Sequence, residues 1–221
     1  MLIEEINNGD STKMVVWRAE DIVDFAWTAW PGYKIVKDKW RGVDITFLTF
    51  QQGLRISDRQ LEAVKVALDY LDARVGPYPW PHLTFVDPPA AGAGAGGMEY
   101  TTLFTSSGAG MVPGFIKMPE MVTIHEFGHA YFMGILASNE FEEPWVDEGI
   151  NSYWEQRIVD NYYGEGYGMV RLPFLKASDT DLGRSSYISS PSRSAATNDL
   201  PSWMYPHGTY SMMSYLKTST W

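Results

Sequence analysis

His125-Glu126-Phe127-Gly128-His129 sets two imidazoles four residues apart with a carboxylate between them. On an α-helix of about 3.6 residues per turn, that spacing puts both rings on one face, so one rigid element supplies two metal ligands. With only four histidines in 221 residues, a composition like this one produces the HExxH pattern by chance only about 0.004 times. Two ordinary core histidines are the bland alternative, because Met121, Ile124, Phe127, Tyr131, Phe132 and Ile135 on the same helix are expected to pack in the core. Against it stands Trp145-Val146-Asp147-Glu148-Gly149, with eighteen residues between His129 and Glu148. An antiparallel helix pair would bring His125, His129 and Glu148 together.

Two histidines and one glutamate form an open set that leaves a fourth position for water, as a catalytic zinc requires. The chain has no cysteine, so thiolate sites and disulfides are excluded and a transition metal must be held by imidazole and carboxylate. One zinc ion per chain is the expected cofactor. Zinc lowers the pKa of bound water to about 7, and Glu126 is placed to accept the proton and later return it to a leaving amine. A developing oxyanion needs a further donor, for which Tyr205 and His207 are the downstream candidates. The ligand imidazoles also need acceptors on their other nitrogens, and Asn151, Ser152 and Glu155 share the Glu148 face at helical spacing.

The elements that must position these groups can be read from periodicity. Lys13 to Phe50 is rich in β-branched and aromatic residues, and Val43 to Phe50 alternates as a half-buried strand does. Pro31-Gly32 and Arg41-Gly42 mark turns. Ser57-Asp58 opens a capped amphipathic helix that Gly76-Pro77 ends, and His82 to Asp87 reads as a strand. Pro88 to Gly97 reads as a flexible connector, since no Gly-Lys-Ser/Thr follows to make it a phosphate loop. Met98 to Thr105 reads as a strand carrying Glu99. Pro119-Glu120 starts the helix of the HExxH motif, expected to run to about Ala137, and Pro144 starts the next, from Trp145 to about Tyr163. Ser178 to Asp199 is a long polar loop, and Tyr210 to Leu216 reads as a helix still in progress at Trp221. Strands followed by helices indicate an α+β arrangement in which a mixed β-sheet lobe precedes a mainly helical one.

Twenty-seven acidic against seventeen basic residues give a net charge of −10, which repels phosphate backbones and argues against nucleic acid as a partner. The acidic start is unlike a secretory signal, and no apolar run is long enough to span a bilayer. The expectation is a soluble fragment whose compartment the sequence leaves open.

The residues together resemble the gluzincin aminopeptidases, the aminopeptidase N-like zinc metallopeptidases, from about Ala19 to the end. HEFGH, eighteen residues and the Glu of WVDEG match the family pattern in type and spacing. Gly96-Gly97-Met98-Glu99-Tyr100 is similar to the family's Gly-x-Met-Glu-Asn motif, with Tyr100 where the family has Asn. The resemblance makes Glu99 the group that binds the substrate's α-ammonium, with Gly97 and Met98 beside it in substrate binding. Tyr205-Pro206-His207-Gly208 looks like the family's Tyr-x-Lys-Gly with His for Lys, which favours Tyr205 as the oxyanion donor. The implied fold is a thermolysin-like catalytic domain over 31–221, truncated at its C-terminus. Residues 1–30 are then a β-rich remnant joining an upstream domain, and flanking domains of the full-length protein are missing.

The implied function is zinc-dependent release of amino-terminal residues from a peptide substrate. Two other readings use the same residues: a thermolysin-like endopeptidase in which Glu99 is structural, and a non-catalytic peptide- or protein-binding module that keeps the fold. An intact set of His125, Glu126, His129 and Glu148 argues against the last, because a scaffold needs none of them.

Overall fold

The computed structural model describes residues 2–106, 112–139, 145–164, 170–172 and 175–177. A hairpin of β1 (Leu2–Asn7) and β2 (Lys13–Trp17) opens the chain, with every residue exposed. A second hairpin, β3 (Lys34–Trp40) and β4 (Val43–Thr49), begins a four-stranded sheet of order β3-β4-β5-β6. Arg41 takes the turn between them in the left-handed region, at φ 46°.

From β4 the chain passes through α1 (Ser57–Arg74) to β5 (His82–Val86), which lies parallel to β4, and β6 (Leu103–Thr105) lies parallel to β5. The sheet is therefore mixed, and with three helices the composition is α+β. The strand-helix-strand order of β4, α1 and β5 was expected from the sequence, and the parallel pairing of the two strands makes it a crossover. The HExxH helix is α2 (Met118–Leu136), and α3 (Ile150–Tyr163) follows a π-helical turn at Trp145–Gly149. Short strands β7 (Val170–Leu172) and β8 (Leu175–Ala177) pair antiparallel. No helix among the described residues is long and apolar enough to cross a membrane.

The alternation in β4 is realised in full: Val43, Ile45, Phe47 and Thr49 are buried while Asp44, Thr46 and Leu48 are more exposed. Phe47 stacks on Phe85 at 4.1 Å between ring centroids, and Phe85 on Phe104 at 5.3 Å, so one aromatic from each of β4, β5 and β6 forms a row across the sheet. Leu61, Val64 and Leu68 of α1, Ile124, Phe127 and Tyr131 of α2, and Ile158 of α3 join the same cluster. Sheet and helices thus share one core in the described residues. The expected separate helical lobe is not seen among the described residues, which end at 177.

Two polar contacts fix α2 in this frame. The Arg59 guanidinium from α1 donates to both carboxylate oxygens of Glu120, at 2.9 and 2.7 Å, and to the carbonyls of Val112 and Ile116. Glu120 is thus a buried anchor as well as an acid that suits a helix N-terminus. Beneath the sheet edge, Gln60 donates to Asp87 and Ser106 at 3.0 Å each, and Ser106 bonds the Thr123 hydroxyl of α2 at 3.0 Å.

Several local expectations are corrected. Ser57 is the first helical residue of α1 rather than its cap, and its hydroxyl donates to the Leu54 carbonyl. Within the expected connector, Ala90–Ala95 coils as 3-10 turns, with Gly92 N–H closing onto the Pro89 carbonyl. Met98 to Thr105 is not one strand. Met98 bridges Thr105 antiparallel, and the chain turns between them with Thr102 at φ 62°. Ile135 is 49% exposed, since α2 outruns the core by about a turn. Tyr205 and His207, the Ser178–Asp199 loop and the segment from Tyr210 lie outside the described residues.

Candidate metal centre

α2 presents His125 and His129 one turn apart with their Nε2 atoms 3.1 Å from each other. Glu148, from the π-helical turn, places Oε2 3.4 Å from both nitrogens. These three residues form a group able to hold a metal ion. A tetrahedral zinc with donors at about 2.0–2.1 Å holds them about 3.4 Å apart; two edges of the observed triangle have that length and the third is shorter, at 3.1 Å.

The other imidazole nitrogens are occupied. Nδ1 of His125 lies 2.9 Å from Glu155 Oε2, and Nδ1 of His129 lies 2.8 Å from Asp147 Oδ1. Carboxylate oxygens accept, so each Nδ1 carries a proton, and once the ring is neutral its Nε2 lone pair faces the site. Of the three residues expected to serve this purpose, Glu155 does so. Asn151 instead donates to the His125 carbonyl at 2.9 Å, and Ser152 is buried on the same helix. Asp147 was not anticipated. Its adjacency to Glu148 was the available signal, because residues flanking a ligand can reach around the same ring.

The electrostatics follow from burial against paired charge. Burial opposes protonation of both rings, yet Glu155 and Glu148 carry His125 well above its ordinary value. Hydrogen bonds with Asp147 and Glu148 likewise outweigh burial at His129 and raise it to about 9. Glu148, though burial would raise it, is held well below the usual carboxylate range by the two histidines. A site that gathers protons in this way has ligands ready to exchange them for a cation.

Glu126 is 6% exposed, and its Oε2 is buried without a hydrogen-bond partner. Burial pushes its carboxyl up to about 7, assisted by the charges of Glu99 and Glu148 against the opposing histidines. Such a group is poised for proton transfer near neutral pH. Glu99 is half-buried and also raised, by burial first. One of its carboxylate oxygens lies within 4.8 Å of ligand atoms of His129 and Asp147.

The turn that bears Glu99 is tied down along its length. Gly97 N–H donates to the Thr105 carbonyl, Thr105 N–H to Met98, and Leu103 N–H to Tyr100. Asp24 accepts from Thr101 N–H at 2.7 Å, and the Asp21 carbonyl accepts from the Trp80 indole. Gly97 has φ +70°, and a β-carbon there would stand 3.5 Å from Glu126 Oε1. The site predicted from sequence therefore comes together for His125, Glu126, His129, Glu148, Glu99 and Gly97, with Met98 as the bridge residue beside them.

No family model matches this chain, and no curated protein matches it.

Proposed function

We propose that this chain is a zinc-dependent peptidase that removes amino-terminal residues from peptides. The observation that carries this reading is the triangle of His125 Nε2, His129 Nε2 and Glu148 Oε2, with both Nδ1 atoms engaged by carboxylates. That donor set suits zinc among the common divalent ions, because imidazole and carboxylate at tetrahedral separations are its usual ligands.

His125, His129 and Glu148 would hold the ion. When bound, zinc supplies Lewis acidity toward a scissile carbonyl and lowers the pKa of water to about 7. Glu126 accepts the proton of the attacking water and delivers it to the leaving amine, a cycle that a carboxyl near pH 7 performs in both directions. Glu99 pairs with the α-ammonium, whose unperturbed pKa is about 7.7 to 8.0, and so selects the first peptide bond. Tyr205, outside the described residues, is the assigned oxyanion donor.

Metal content of the purified chain tests the centre, with His129→Ala prepared in parallel. One zinc per chain in the wild type, lost in the variant, together with hydrolysis of aminoacyl anilides, is the expected result. A wild type that takes up no zinc would return the chain to the class of non-catalytic binding modules.

A further inference from the structure

Between the two histidines, α2 comes very close to α3. A β-carbon built on Gly128 would fall 1.9 Å from Asn151 Oδ1 and 3.1 Å from its Cγ. The first distance is far inside any real contact and the second is tight, so no larger residue fits at 128 while the Asn151 amide keeps its place. From the same amide, Nδ2 donates to the His125 carbonyl at 2.9 Å. That carbonyl is also the one that α-helical geometry pairs with the His129 amide.

Asn151 is 1% exposed, so its amide is committed to this contact rather than to water. It stands three residues after Glu148, on α3, which continues directly from the π-helical turn that carries that ligand. One side chain therefore occupies the space a methyl on α2 would fill and grips the helical turn bearing both imidazoles. The distance between packed helices is set by the side chains at the contact, and here that contact is a glycine against an asparagine amide.

We propose that Asn151, seated on Gly128, is a positioning residue that sets the depth and pitch at which α3 docks on α2. It thereby fixes Glu148 opposite the two histidine nitrogens. The inference rests on the reading of those three residues as the zinc ligands. Asn151 acts through the backbone of α2 and not on substrate, so its effect belongs to metal affinity and ligand-field geometry before it belongs to turnover.

The test is zinc affinity by chelator competition and the visible spectrum of the cobalt-loaded full chain, for wild type, Asn151→Ala, Asn151→Asp, Gly128→Ala and the double variant Gly128→Ala/Asn151→Ala. Asn151→Asp keeps the shape but sets an acceptor against the His125 carbonyl. It should weaken zinc roughly 10- to 100-fold, the range for residues that orient metal ligands, and should alter the cobalt bands. Gly128→Ala should weaken binding at least as much in the wild-type background and add little once Asn151 is Ala, because the clash has gone. Near-ultraviolet circular dichroism of Asn151→Asp verifies that it is folded.

Affinity within twofold of wild type for both Asn151 variants overturns the inference. So does an undiminished Gly128→Ala penalty in the double variant. In either case a zinc-binding wild type leaves the proposed function standing, whereas a wild type that binds no zinc removes that function and this inference together.

Discussion

Asp147 accepts from Nδ1 of His129 at 2.8 Å, and both side chains are 2% exposed. A buried pair of this kind fixes both the tautomer and the rotation of the ring, so Nε2 has one direction in which to offer its lone pair. Replacing Asp147 with Ala removes the acceptor while leaving all three ligands. Zinc affinity is expected to drop about 10- to 100-fold with one ion still bound at saturation, measured by competition with a chromogenic chelator. Unchanged affinity would mean the ring is oriented by something else.

Zinc uptake near neutral pH should release protons. His129 is raised to about 9 and His125 stands well above its ordinary value in the metal-free chain, so the pair holds protons that must leave before both Nε2 atoms can bind. Apparent affinity should climb as pH rises toward about 9. Folding stability of the metal-free chain runs the other way: the contribution of His129 is fully present below its unfolded value of 6.5 and disappears as pH rises through about 9. Titration calorimetry in two buffers of different ionisation enthalpy reads the proton count, and identical heats would contradict the assigned ligands.

Glu126→Gln preserves size and removes the proton acceptor. Zinc content should match wild type, and turnover should fall about 10²- to 10⁴-fold. Since the base form is required and burial sets its value near 7, activity in the wild type should be lost as pH falls. A nearby divalent ion lowers that value further, placing the acid limb at or below about 7. Full turnover in the Gln variant would assign the proton to another group.

Glu99→Gln separates an aminopeptidase from an endopeptidase. If Glu99 pairs with a free α-amine, kcat/KM on unblocked substrates should fall at least tenfold, about 1.4 kcal/mol or more, while amino-blocked peptides remain poor. Efficient cleavage of blocked internal bonds by wild type would favour the endopeptidase and return Glu99 to a structural role.

Arg59→Ala tests the anchor of α2 rather than its chemistry. Glu120, with its side chain 2% exposed, would lose its Arg59 partner, and one-sided loss of a buried ion pair destabilises by about 3–5 kcal/mol. The free energy of unfolding extrapolated from urea titration should fall by that order. A loss within 0.5 kcal/mol, roughly the scatter of ordinary surface changes, would show that Lys117, 3.1 Å from Glu120, carries the charge alone.

The candidate metal cluster was legible because it is spaced by helical geometry. His125 and His129 had to share a face, and Glu148 could be found from its distance along the chain. The alternation of Val43 to Thr49 likewise named the buried side of β4 without knowledge of its partners. What remained hidden depended on three-dimensional neighbours. Asp147 reads as context around Glu148 until His129 is placed beside it, and Gly128 reads as a neutral spacer until Asn151 arrives from α3. The turn around Glu99 escaped because its residues have strand propensity, while Asp24, far away in sequence, holds the Thr101 amide.

The π-helical turn at Trp145–Gly149 gives the site an unusual sensitivity to length. A π-turn holds more residues than an α-turn over the same span, and each residue removed from a helix rotates everything after it by about 100°. Deleting Gly149, which lies between Glu148 and α3, would change the phase of Glu148 against Asn151 and Glu155 by about 100° while leaving all three metal-ligand candidates in the chain. Away from Asp147 and Glu148, substitutions in this stretch are therefore changes of degree, whereas that single-residue deletion would take the centre apart.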